Sequence, residues 1–129
     1  MSNLEIIQEL YEAFASGGLD RIHELVDSDC VVTQDEALPW GGRFEGHEGV
    51  ATFGASLGGT IHSTLTNGAL FEAGDQVVQF GRSRGTVLAN NAVFDVPEVH
   101  VWTLRSGLVT AAAFYLDSSA MIRALAQAS

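Results

Sequence analysis

The sequence predicts an α+β fold: three short helices and one early strand, then a long meander of strands, then a closing helix. Three observations carry this reading. Apolar side chains recur at helical spacing near the N-terminus. From Thr60 onward β-branched and aromatic residues dominate. Fourteen glycines break the chain into short elements. The stretch Asp95–Asp117, DVPEVHVWTLRSGLVTAAAFYLD, is the clearest single signal, a hairpin turning at Arg105-Ser106-Gly107.

Leu4, Ile7, Leu10 (or Tyr11) and Phe14 share a helical face opposite Glu5, Gln8, Glu9 and Glu12. Ser2 followed three residues later by Glu5 is a capping-box start, and Gly17-Gly18 is the stop. Leu19–Val26 reads as a second helix with Asp20 near its positive end, and Cys30–Gln34 as a short strand. Asp35–Gly46, DEALPWGGRFEG, reads as a long loop whose tryptophan suits a flap. His47–Leu57 is a third helix, stopped by Gly58-Gly59. Strands over Thr60–Phe71 and Gln76–Leu88 follow, with turns at Glu72–Asp75 and Asn90-Asn91. Asp117-Ser118-Ser119 caps a last helix, Ala120–Ala126.

The length, 129 residues, suits one domain over 1–129, and 47% apolar against 17% charged residues excludes a disordered chain. Six basic residues against sixteen acidic ones give a net charge of −10, which disfavours nucleic acid and anionic membranes. No apolar run is long enough for a membrane span, and the acidic N-terminus is unlike a signal peptide. Cys30 is the only cysteine, so neither an internal disulfide nor a cysteine metal site is available, and a reducing cytoplasm is the expected setting. Four histidines without i, i+4 spacing argue against a metal site, and phosphate-binding glycine motifs are absent.

Within the hairpin, alternation puts Glu98, His100, Trp102 and Leu104 on one face and Val99, Val101, Thr103 and Arg105 on the other. The first face carries the tryptophan and is expected to point inward, taking His100 with it. A histidine in the middle of an inward face suggests a pocket.

The segments LYEAFASGGLDRIHELVDSDCVV, GGRFEGHEGVATF and VHVWTLRSGLVTAAAFYLD resemble the nuclear transport factor 2-like (NTF2-like) and ketosteroid-isomerase-like superfamily, in its SnoaL-like branch. The resemblance implies a cystatin-like cone, in which a curved antiparallel sheet wraps three helices around an internal pocket. That fold hosts isomerases, polyketide cyclases, epoxide hydrolases, dehydratases and proteins without known chemistry. By the resemblance, the isomerases' catalytic aspartate falls at Gln34, with Asp35 one residue on. Their helix-one tyrosine falls at Leu10, beside Tyr11. Their second aspartate, a protonated donor, falls at His100. The acidic residue of the cyclases and epoxide hydrolases falls at Phe114.

A histidine ordinarily titrates near neutral pH, which suits His100 to a general acid, a base or a donor to a ligand carbonyl; the plain alternative is a buried histidine bonded to its neighbours. Asp35 is the candidate for the missing carboxylate base, against the ordinary case of a solvated loop residue. Gln34, if inward, donates to or accepts from a ligand. Trp40 is the candidate lid, Trp102 a core residue or pocket wall, and Phe114 a shield against water. Tyr11 and Phe14 on the first helix either reach the cavity or staple helix to sheet. Gln79 faces inward if Arg82 and Arg84 face outward. His62 is open to either face, and His47 is expected at the surface.

The expected function is therefore binding of a small, mostly apolar molecule bearing a carbonyl or hydroxyl, with cofactor-independent isomerase, cyclase or dehydratase chemistry through His100. The alternative is a non-catalytic binding or dimerisation module. The outer face (Val99, Val101, Val109, Ala111, Ala113, Tyr115) is apolar enough to predict a homodimer.

Overall fold

The computed structural model describes residues 1–128, apart from the side chain of Asn67. Helix α1 spans Asn3–Ser16. Ser2 Oγ accepts from Glu5 N and Glu5 Oε1 accepts from Ser2 N, both at 3.1 Å, which closes the capping box. The helix stops at Gly17, whose φ of +73° a side chain would strain. Its buried face is Ile6, Ile7, Leu10 and Ala13. Helix α2 (Leu19–Leu25) leads directly into strand β1 (Val26–Gln34). That strand begins earlier than expected because a register shift between Val26 and Val31, through the exposed Ser28 and Asp29, breaks its apolar alternation.

The expected loop over 35–46 contains a strand, β2 (Gly42–Glu45), paired antiparallel with Val31–Gln34. A tight turn makes this possible. Asp35 O accepts from Leu38 N, and Leu38 O accepts from Gly41 N. A Cβ on Gly41 would lie 1.7 Å from Asp35 O, so only glycine closes the turn. Helix α3 (Gly46–Thr60) runs through Gly58 and Gly59 instead of stopping there. The two glycines lack the positive φ of a helix stop, and the Thr60 hydroxyl donates to Ser56 O within the last turn.

Strands β3 (Ile61–Ala73), β4 (Gln76–Val87), β5 (Val93–Arg105) and β6 (Leu108–Leu116) complete one curved sheet, in the order β2-β1-β6-β5-β4-β3. All neighbours are antiparallel except β1 and β6, which run parallel and so required the long excursion through α3 and the meander. Helix α4 (Ser118–Leu125) closes the chain. Asp117 caps it, accepting from Ala120 N, and the Asn90 amide holds its other end through the carbonyls of Ala124 and Gln127.

The inward face of β5 is as alternation demands: Glu98, Trp102 and Leu104 are buried, and Arg105 is exposed. One expected outer residue is corrected. Val109 is fully buried, because Leu104 pairs with Val109 while Thr103 pairs with Ala111. The extra residue, Thr110, reverses the alternation at this bulge. His47, expected at the surface, is half-buried, stacked on His23 at 4.6 Å with its Nε2 2.7 Å from Val26 O.

Candidate functional site

Between the concave sheet face and the helices lies a cavity of about 490 Å³. Helix α1 contributes Tyr11 and Phe14, and the turn after β1 contributes Trp40. Helix α3 contributes Val50, Phe53, Gly54, Leu57 and Gly58, and the sheet supplies the rest. A Cβ added at Gly54 or Gly58 would meet nothing within 4 Å, so these glycines leave room in the cavity rather than relieve backbone strain.

Sheet register arranges the polar side chains. Gln34 pairs with Phe114, Phe114 with His100, and His100 with Gln79, one row across four strands. With about 4.8 Å between strands, Gln34 and His100 stand about 10 Å apart across Phe114. Trp40 Nε1 donates to Gln34 Oε1 at 2.8 Å, and the Gln34 amide nitrogen has no hydrogen bond among the described residues. Trp40 is only 1% exposed, so it is a fixed wall and not the flap expected of it.

At the other end of the row the polar atoms form a chain. Trp102 Nε1 donates to Tyr11 Oη at 2.9 Å, and Tyr11 Oη lies 2.7 Å from His100 Nδ1. His100 Nε2 stands 3.3 Å from Glu98 Oε2, near enough for proton exchange but too poorly aligned for a full hydrogen bond. Gln79 Nε2 donates to Glu98 Oε1 at 2.9 Å. The rings of Phe114 and His100 meet edge to face at 4.6 Å. Both imidazole nitrogens therefore face protein groups, and the Tyr11 phenol is the member of the chain that joins them to helix α1.

Burial sets the charge states here. It lowers His100 to about 4, so the imidazole is neutral at physiological pH. Burial also raises Glu98, against the lowering effect of the Gln79 hydrogen bond, and raises Tyr11, which stays a neutral phenol. The Cys30 thiol, also on the cavity wall, is pushed up to about 11 mainly by burial, which leaves it protonated and weakly nucleophilic.

Of the residues singled out in the sequence, Tyr11, Phe14, Gln34, Trp40, His100, Trp102 and Phe114 line the cavity, Phe14 half-exposed at its rim. Gln79 faces inward, as Arg82 and Arg84 face outward, but lies behind Glu98 and does not line the cavity. Asp35 is corrected. It is exposed, absent from the cavity wall, and its Oδ1 accepts from Ala37 N at 2.9 Å. Hydrogen bonds from Ser118 and the Ala37 backbone lower its pKa, which keeps it a charged turn residue. Sequence reasoning missed Glu98, a carboxylate that is 3% exposed and lines the cavity. Its signal was present, since alternation put it on the face of His100 and Trp102. His62 lines the cavity as well.

The profile of the SnoaL-like domain family matches residues 7–112. A search of curated proteins finds no match. Among solved structures, the chain is similar to an NTF2-like protein of unknown function from Burkholderia pseudomallei, with 26% identity, 98% and 100% of the two chains covered, and a TM-score of 0.88. It is also similar to TerC, co-crystallised with polyporic acid, with 26% identity, 97% and 98% coverage, and a TM-score of 0.86. A candidate polyketide cyclase from Pseudomonas putida shares the fold at 17% identity, with 98% and 99% coverage and a TM-score of 0.84.

Proposed function

The chain belongs to the SnoaL-like domain family, and we propose that it binds a small, mostly apolar molecule bearing a carbonyl or hydroxyl and acts on it without a cofactor, as an isomerase, cyclase or dehydratase. The observation that carries this reading is the Tyr11–His100–Glu98 chain, a largely buried acid–base group on the wall of an otherwise apolar cavity. A structural core has no use for it, since a buried carboxylate and imidazole cost stability that apolar residues would not.

In this reading the ligand oxygen sits against Tyr11, and its apolar body lies along Phe114, Phe53 and Trp40, which exclude water. A second oxygen, toward the β1 end of the row, meets the free amide of Gln34. The carboxylate first sought at Asp35 is supplied by Glu98, which stands behind His100 and acts through it. Co-crystallisation of the similar TerC with polyporic acid supports a ligand of this general kind. The non-catalytic alternative draws on one fact: neither nitrogen of His100 is free of protein partners.

The test is a thermal-shift screen of the native protein and His100→Ala with 1-tetralone, 2-naphthol and polyporic acid. A ligand at a hundredfold excess over its Kd stabilises by about 2.7 kcal/mol. A shift in the native protein that is lost in the variant supports the site; no shift with any probe, or one that His100→Ala leaves unchanged, overturns it. Turnover by the native protein then separates enzyme from binding module.

The assembly belongs to the same reading. On the convex face Phe71 and Phe80 stack at 5.4 Å, both about half exposed, in line with Val99, Val101, Ala111, Ala113 and Tyr115. A homodimer through this face would cover them.

A further inference from the structure

The Tyr11 phenol has one proton and two partners inside the protein, and its direction is not free. Trp102 Nε1 fills one lone pair of Oη, so the contact with His100 Nδ1 runs one of two ways. If Nδ1 is bare, Tyr11 spends its proton on His100. If Nδ1 carries hydrogen, it donates to Oη and the phenol proton is released toward the cavity. A neutral imidazole holds one hydrogen, so the choice at Nδ1 is fixed by Nε2, and Nε2 faces Glu98.

We propose that Glu98, acting through His100, decides whether Tyr11 offers the ligand a donor or an acceptor: the site takes a carbonyl or oxyanion when the Glu98 carboxyl is protonated, and a hydroxyl when it is not. This rests on the cavity being a ligand site, as argued above. With Glu98 ionised, Nε2–H points at the carboxylate, Nδ1 accepts from Tyr11, and Oη has only lone-pair density to show. With Glu98 protonated, its hydrogen points at Nε2, Nδ1–H donates to Oη, and the phenol hydrogen faces the ligand. The change takes up one proton. A proton arrives at Oη, the former phenol proton moves to Nδ1, and the proton on Nε2 passes to Glu98. No bond between heavy atoms forms or breaks.

Three features favour this relay. Gln79 Nε2 is held on Glu98 Oε1, so the oxygen facing His100 is the one left to gain or lose the proton. That atom, Oε2, is buried with no formed hydrogen bond among the described residues. Burial lowers the imidazole and raises the carboxyl, so the proton taken up rests on Glu98 and not on His100. Few other groups intrude. Glu98 pairs with Gly81 on β4 and Leu116 on β6, both uncharged, and among the described residues the titratable groups facing it are His100 on β5 and Tyr11 on α1. Glu98 is thus a positioning residue, and by this account its removal changes which ligands bind.

Long-range proton–nitrogen NMR of the His100 ring, identified by its loss in His100→Phe, reads the tautomer with no ligand present. The native protein should hold the Nε2–H form at alkaline pH and gain the Nδ1–H form as the pH falls through the raised pKa of Glu98. Glu98→Gln should be locked as Nδ1–H throughout, because Gln79 holds the introduced amide oxygen and turns its N–H toward Nε2. In parallel, native affinity for 1-tetralone, which only accepts hydrogen bonds, should rise about tenfold from the alkaline to the acid end, and Glu98→Gln should be flat. A native tautomer that does not change with pH, or a variant holding the Nε2–H form, overturns the proposal. Failure of every ligand to bind would instead fall on the proposed function, since the tautomer reports the relay alone.

Discussion

The two faces of the sheet each carry residues that the usual arrangement of a folded domain would place on the other side. The concave face, turned inward, carries Gln34, Gln79, Ser83, Glu98 and His100 among its apolar residues. The convex face, turned outward, carries Phe71, Phe80, Val99, Val101 and Tyr115. For these residues ordinary folding energetics asks for the reverse. Gln79 and Glu98 bond to each other, Gln34 to Trp40 and His100 to Tyr11, so their desolvation is partly offset, and the proposed chemistry on a ligand would account for what remains. The outer apolar groups have no such compensation within one chain, and association with a second copy would supply it. In the proposed reading, the polar residues inside belong to a site and the apolar residues outside to a surface that a second copy would cover.

That contrast can be broken from either side. The largest effect is expected at Trp40, the most buried aromatic of the cavity wall. Trp40→Ala should lose about 3–5 kcal/mol in a denaturant melt, whereas Phe80→Ala on the convex face should lose far less from the isolated fold.

The next effect is on pH. His100 is lowered to about 4, so below its ordinary 6.5 the unfolded chain binds a proton that the folded one refuses. Stability from this group is therefore lost as the pH falls from 6.5 toward 4, by on the order of 3 kcal/mol. Glu98 acts in the opposite sense. Its raised pKa means the folded protein gains the proton first, and that stability is lost as the pH rises through its folded value. Glu98→Gln should then show a steeper acid-side loss than the native protein in melts across this range; an equal slope would mean that Glu98 does not titrate with folding.

Val101→Glu on the convex face should convert a dimer to a monomer in sedimentation at micromolar concentration without altering the far-UV spectrum. A native monomer would remove the need to cover that face. Gly58→Leu fills the cavity from the helix side, where a Cβ meets nothing. It should abolish probe binding while leaving stability equal or higher by about 1 kcal/mol. The smallest effect is expected at Asp35: Asp35→Asn should change stability by about 1 kcal/mol or less and leave ligand affinity as it was, because the carboxylate holds a turn outside the cavity.

The hairpin that organises the site was legible because alternation is a strict geometric rule, and one tryptophan sufficed to orient Glu98, His100 and Leu104. The α1 start and the α4 cap were legible because their signals are local. Strand β2 was not, since four residues, Gly-Arg-Phe-Glu, become a strand only when β1 lies beside them. The end of α3 was misread because glycine stops a helix only when it turns left-handed, and Gly58 and Gly59 do not. Val109 was placed on the wrong face by a bulge that no local residue announces. At the site, Asp35 drew attention through its position in the resemblance, while Glu98 two residues from His100 already shared its face. The periodicity of the strand was the better guide.

The most direct test of the account is a calorimetric titration of the native protein, His100→Ala and Gly58→Leu with polyporic acid and 1-tetralone. The account predicts saturable binding, one ligand per chain, in the native protein and its loss in both variants. One variant removes the polar end of the cavity and the other its volume. Native binding that survives both changes, or no binding of either probe to the native protein, would contradict it.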